Sequence, residues 1–90
     1  MGALSFEPDA DRPEVLLVVD RAAGVLVGEA IPSDVWPGKW RAAVAHPGKG
    51  YVYVRVRPSG EDLVELTQVG TETFTSAYDA KAAIERNRVL

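Results

Sequence analysis

The chain has 90 residues, 47% hydrophobic and 26% charged, with a formal net charge of −3 and no cysteine. That length supports one domain with a modest core and excludes a large enclosed substrate cavity. The missing thiols exclude disulfides, cysteine nucleophiles and thiolate metal sites, and they fit a reducing, cytoplasmic setting.

No apolar run approaches the ~18 residues a membrane span requires. The stretch Met1–Asp9 has neither a basic start nor a long apolar run, so no secretory signal is expected. The bias toward Ala, Val and Arg fits a GC-rich bacterial genome.

Residues 1–13 hold Pro8, Pro13, Asp9 and Asp11 without any period, and they read as a flexible lead to one β-rich domain over 14–90. Glu14–Val19 is a β-branched run of strand length. Asp20–Gly24 is a turn, and Val25–Ile31 is a second strand that forms a hairpin with the first. Gly28 inside that strand predicts a bulge or bend.

Pro32–Gly38 is a loop on its prolines and glycine, Lys39–Ala45 a third strand, and His46–Gly50 a turn. Tyr51–Arg57 alternates strictly. Val52, Val54 and Val56 share the inner face, with Tyr51, Tyr53, Arg55 and Arg57 on the other. After a turn at Pro58–Glu61, Asp62–Val69 is the fifth strand. Pairing Val56 with Val64 and Val54 with Leu66 keeps one face apolar and sets Arg55 opposite Glu65. Gly70–Phe74 extends this strand or forms a short sixth.

A helix over 76–88 closes the chain. Ser76 and Asp79 have capping-box spacing, and Ala77, Ala80, Ala83 and Ile84 form a thin apolar stripe opposite Lys81, Glu85, Arg86 and Arg88. Such a helix is stable only when laid close against the sheet. The fold class is α+β, a five- or six-stranded antiparallel meander with one C-terminal helix.

Charge is uneven. Residues 1–34 hold Glu7, Asp9, Asp11, Glu14, Asp20, Glu29 and Asp34 against Arg12 and Arg21. Residues 35–60 hold Lys39, Arg41, Lys49, Arg55 and Arg57 with no acid, and residues 61–90 are acidic again. The basic middle also carries Trp36, Trp40, Tyr51, Tyr53 and the single histidine, His46. Basic side chains track phosphates and aromatic faces stack on bases, so this pattern suits a nucleic-acid or peptide platform. The net acidity favours protein over nucleic acid. The candidate partner-binding residues are Trp36, Lys39, Arg41, Lys49, Tyr51, Tyr53, Arg55 and Arg57. Trp40 reads as core, carrying Ala42 and Val44 inward. Whether the helix covers the Tyr/Arg face or leaves it open is undecided at this level.

His46 has no second histidine or cysteine with which to share a metal, and no nucleophile-elbow, zinc-protease or phosphate-loop motif occurs. No catalytic residue, metal or cofactor is expected, and the chain reads as a non-enzyme.

Two local resemblances accompany these patterns. Trp40–Val44, a turn, Val52–Val56 and Pro58–Glu61 resemble the middle strands of Tudor-like and other SH3-like barrels. That resemblance spans about residues 26–66 and implies a bent five-stranded barrel that binds peptides, modified residues or nucleic acid. Trp36–Val44 with Pro47–Gly50, and Gly70–Phe74 before an Ala-rich helix, resemble the Apetala-type DNA-binding domain and the arm-binding domains of tyrosine recombinases. There a three-stranded sheet enters the major groove. Here Glu29–Asp34 stands where that family has a basic strand.

The function expected is a small binding module for a protein or nucleic acid. The alternative is an assembly subunit that self-associates through its sheet face or its Val89-Leu90 end, giving a homo-oligomer.

Overall fold

The computed structural model describes residues 4–90. Six strands form one antiparallel sheet in simple chain order: β1 (Leu4–Pro8), β2 (Leu16–Asp20), β3 (Val25–Pro32), β4 (Trp40–His46), β5 (Gly50–Arg57) and β6 (Gly60–Val64). One helix, α1 (Ala77–Asn87), follows. The sheet is open, with β1 and β6 as its two edges, rather than closed into a barrel.

Part of the expected N-terminal lead is structured. Leu4–Pro8 pairs with β2, setting Phe6 opposite Val18 and Leu4 opposite Asp20. Leu4 and Phe6 are the reason: alternation places both on the helix side, where Leu4 is buried and Phe6 packs against the core. Residues 1–3 of that lead lie outside the described residues.

The register gives each face its residues. Val44 pairs with Val52, Gly28 with Val44 and Ala30 with Ala42, so these share the side covered by α1. The core there joins Val18, Ala42, Val44, Val52, Val54 and Phe74 to Ala77, Ala80, Ala83 and Ile84 of the helix, with Trp40 half-buried at its margin. Tyr51, Tyr53, Arg55 and Arg57 therefore face away from the helix. Val56 does not share the burial of Val52 and Val54; it lies near the strand end and is 40% exposed.

Gly28 explains how an alanine-striped helix can seal this sheet. The β2–β3 register shifts between Val18 and Val19, leaving Val27 without a partner across the ladder, a bulge beside Gly28. A Cβ on Gly28 would run into the Ala43 carbonyl of β4 and would sit 2.8 Å from Ile84 Cγ2. Close approach of helix to sheet is what lets small side chains exclude water.

At the N-terminus of α1, the Ser76 side chain accepts from the Asp79 backbone N–H at 3.0 Å, and the Asp79 carboxylate in turn accepts from the Thr75 hydroxyl at 3.0 Å. Ser76→Ala should lower stability by about 1 kcal/mol, read from the midpoint of denaturant unfolding with unchanged slope. An unshifted midpoint would mean that this cap contributes nothing.

The β5–β6 register differs from expectation. Arg57 pairs with Gly60 across a two-residue turn, so Val54 meets Leu63 and Arg55 meets Asp62 rather than Glu65. Loop length sets the register of a hairpin. Pro58 and Ser59 alone span this turn, and its positive φ (133°) falls on Gly60.

Strand β6 stops at Val64 instead of running to Val69. The chain then leaves the sheet and returns at the splayed ends of β4 and β5. Gly70 O accepts from Val56 N at 3.0 Å. Phe74 exchanges two backbone bonds with Trp40, at 2.8 and 3.3 Å. Gly70–Phe74 is thus a bridging segment rather than a continuation of β6. Thr71, fully buried within it, donates its hydroxyl to the Gln68 carbonyl at 2.7 Å.

Candidate functional site

The sheet face away from α1 is half covered, by two chain segments rather than by the helix. Over its first strands lies the β1–β2 connection. It is closed on itself by Asp9 N to Val15 O (3.3 Å) and Val15 N to Arg12 O (2.9 Å), and its Val15 side chain is buried. Arg12 anchors it: the guanidinium donates to Asp9 at 2.7 Å and reaches the buried carboxylate of Glu29 on β3. At the other end lies the segment 65–73.

Between these covers stand Tyr51 and Tyr53, directly across from Ala45 and Ala43. Both alanines are buried although they lie outside the core under the helix. A tyrosine beside a small cross-strand neighbour shields it from water. Both tyrosines are half-buried, a second thin layer rather than a free stacking platform.

Burial, then the nearby Glu29 carboxylate, pushes the Tyr51 phenol above its ordinary value. The phenol ionises first in the unfolded chain, so folding loses stability as pH rises above about 10. The phenolate absorbance lost on Tyr51→Phe should therefore fall in the latest part of the alkaline titration. Loss from the earliest part would contradict the placement of Tyr51.

The basic side chains expected to form a positive surface are engaged with acids. Arg41 binds Glu72, Lys49 lies 2.9 Å from Glu65, Arg55 makes paired bonds to Asp62 at 3.0 and 2.7 Å, and Arg57 lies 3.4 Å from Asp62. Arg55 also donates to Gln68 at 3.1 Å. Of the expected basic set only Lys39 lacks an ion-pair partner among the described residues. Each partner acid comes from residues 61–72, so the acidic final third discharges the basic middle.

These pairs hold carboxylates below their ordinary range. Arg55 lowers Asp62, Lys49 lowers Glu65 and Arg86 lowers Glu61, while the Asp11 backbone N–H and then Arg12 lower Asp9. A folded carboxyl with a depressed pKa stabilises above its unfolded value and loses that contribution as pH falls through the folded one. Stability should be flat near neutrality and decline below about pH 4. Denaturant unfolding across an acid series checks this; equal stability at pH 3 and pH 7 would contradict it.

Beside these pairs, large apolar side chains stay exposed. Ser33 organises the β3–β4 loop: its hydroxyl accepts from Val35 N (3.1 Å) and Trp36 N (2.9 Å), and the loop closes through Ser33 N to Lys39 O at 2.8 Å. Trp36 is held at the tip with 61% of its surface exposed. Across from it stands Val69, 98% exposed, and the same 65–73 segment also carries Leu66, 72% exposed. Trp36, Thr67, Gln68, Val69, Gly70 and Glu72 line a groove of about 470 Å³. Glu72 knots its two walls together, binding both Ser33 and Arg41.

No family model, curated protein or solved structure matches this chain.

The expected site is therefore divided by the fold. Trp36 lies on the groove. Arg41 reaches the groove's far side through Glu72, and Tyr51, Tyr53, Arg55 and Arg57 belong to the half-covered sheet face. Lys49 sits in the β4–β5 turn. Sequence reasoning missed Val69, Leu66 and Glu72, having assigned the first two to a strand. A run of Thr67, Gln68 and Gly70 around them was the available signal for a loop.

Among the described residues no three His, Cys, Asp or Glu side chains gather as metal ligands. No helix among the described residues is long and apolar enough to cross a membrane.

Proposed function

We propose that this domain is a non-catalytic binding module for a protein partner, engaged through the surface around Trp36. The observation that carries this reading is the exposed Trp36 and Val69 lining one groove, with exposed Leu66 on the same 65–73 segment, while Arg41, Lys49 and Arg55 are spent on ion pairs. A tryptophan held on a closed loop has little freedom left to lose, and such anchors supply most of the binding energy in protein interfaces. A phosphate backbone would have to compete with Glu72, Asp62 and Glu65 for the same guanidinium and ammonium groups. A cytoplasmic setting in a bacterium belongs to the same reading, resting on composition and the absence of thiols.

Affinity capture from the native host, repeated with Trp36→Ala combined with Val69→Ser, tests the surface. Partners should be lost from this variant and retained by Arg57→Ala. Equal recovery with all three proteins would sink the proposal. Titration with duplex and single-stranded DNA at low salt, followed by tryptophan fluorescence, should show no binding. The same apolar surface suits self-association; sedimentation that stays monomeric at rising concentration sets that alternative aside.

A further inference from the structure

The surface continues past the Ser33–Glu72–Arg41 knot into a second groove of about 320 Å³, lined by Val15, Ile31 and Pro32 with Glu14 and Asp34 at its rim. Its walls are the anchored β1–β2 connection and the root of the Trp36 loop, so both grooves open beside one loop. The charges here differ from those expected for the middle of the chain. Arg12 is shared between Asp9 and Glu29, and Arg41 is taken by Glu72. Asp11, Glu14 and Asp34 have no ion-pair partner among the described residues, and all three are exposed. Of the charged residues that line this groove, the two without an ion pair, Glu14 and Asp34, are both acids; Lys39, at the root of the Trp36 loop, is the one unpaired base beside them.

The geometry points to a basic peptide segment as the occupant. Apolar side chains would fill the floor of Val15, Ile31 and Pro32, with lysine or arginine beside Glu14 and Asp34. This inference rests on the Trp36 surface being the binding surface and adds the chemistry of the partner. Two features converge on a cation. Unpaired rim carboxylates attract it and raise the association rate, and the exposed indole of Trp36 offers a π face to a guanidinium or ammonium. The apolar floor supplies what a carboxylate rim alone lacks, a place for the intervening side chains to leave water.

The test begins with selection of random displayed peptides on the immobilised domain. Enriched sequences are then titrated as synthetic fluorescein-labelled peptides. They should carry Lys or Arg next to apolar residues. Glu14→Gln with Asp34→Asn should weaken them roughly five- to tenfold at low salt and flatten the salt dependence. Trp36→Ala should weaken them about thirtyfold, the effect of losing an anchoring aromatic. Glu14 and Asp34 are exposed, so an unchanged far-UV circular dichroism spectrum should accompany their substitution.

Enriched peptides that are neutral or acidic, or that ignore the Glu14/Asp34 change yet need Trp36, would overturn the basic partner and leave the Trp36 surface standing. No enrichment over a blank surface, or binding indifferent to all three residues, would overturn both.

Discussion

Gly28→Ala is expected to cost about 3 kcal/mol or more of folding stability, although it adds a single methyl group. The cost does not come from backbone conformation; it comes from what the methyl would meet. One neighbour is the Ala43 carbonyl, part of the β3–β4 ladder, where Gly28 pairs with Val44. A ladder carbonyl cannot swing aside without breaking its strand pairing. The other neighbour is Ile84 Cγ2 at 2.8 Å, and Ile84 is itself fully buried. Overpacking a tight site usually costs 1–3 kcal/mol, and here one of the two obstacles is backbone. For a chain of this length the loss should appear as a fall in Tm on the order of 10–20 °C. A Gly28→Ala protein within a few degrees of the parent would mean that α1 does not sit this close to β3.

Ile84→Ala is the complementary experiment. Ile84 is the largest fully buried side chain, and its neighbours along the helix stripe are alanines. Truncation removes the largest side chain the helix buries against the sheet, and the small residues around it cannot collapse into the space. A loss of about 2–5 kcal/mol is expected, toward the upper end because the site is rigid. That is a large part of the total stability of a domain this small. The two substitutions should also be coupled. Removing Cγ2 relieves one of the two collisions made by a Gly28 methyl, so the double variant should be more stable than additivity predicts. The Ala43 collision persists, so Gly28→Ala should still destabilise in the Ile84→Ala background. Strict additivity would mean that the two residues are not in contact.

Neither change lies near the Trp36 groove. Variants that remain folded should keep the peptide binding described above, which separates loss of fold from loss of surface.

Much of the fold was legible in local pattern. The alternation from Tyr51 to Val54 reports its two faces directly because a strand exposes and buries on a period of two. The helix was legible from Ser76 and the spacing of Ala77, Ala80, Ala83 and Ile84. Gly28 announced the bulge found beside it, but not the close approach of Ile84 and the Ala43 carbonyl. Of the site, Trp36 was visible as a tryptophan between prolines and turn residues, and its exposure in the structure agrees with that position.

Other features depend on residues far apart in the chain. The short turn at Pro58–Ser59 overrode the register that a matching of apolar faces suggested. That moved Arg55 from Glu65 to Asp62 and freed Glu65 for Lys49. Arg41 and Glu72 are 31 residues apart, and no spacing rule joins them. The basic middle is real as a count of side chains, but most of it is paired, because acids from the final third return to it: Asp62 on β6, Glu65 just beyond that strand and Glu72 in the bridging segment Gly70–Phe74. Local periodicity determined that this protein has an antiparallel meander, one capped helix and an inner Val52-Val54 face. The tertiary structure decided which face the helix covers, which charges cancel, and that Trp36 and Val69 are left exposed on one groove with an acid-rimmed groove beside it. Coulomb pairing and burial depend on distance in space, and a linear sequence displays that distance only where neighbours in the chain are also neighbours in the fold.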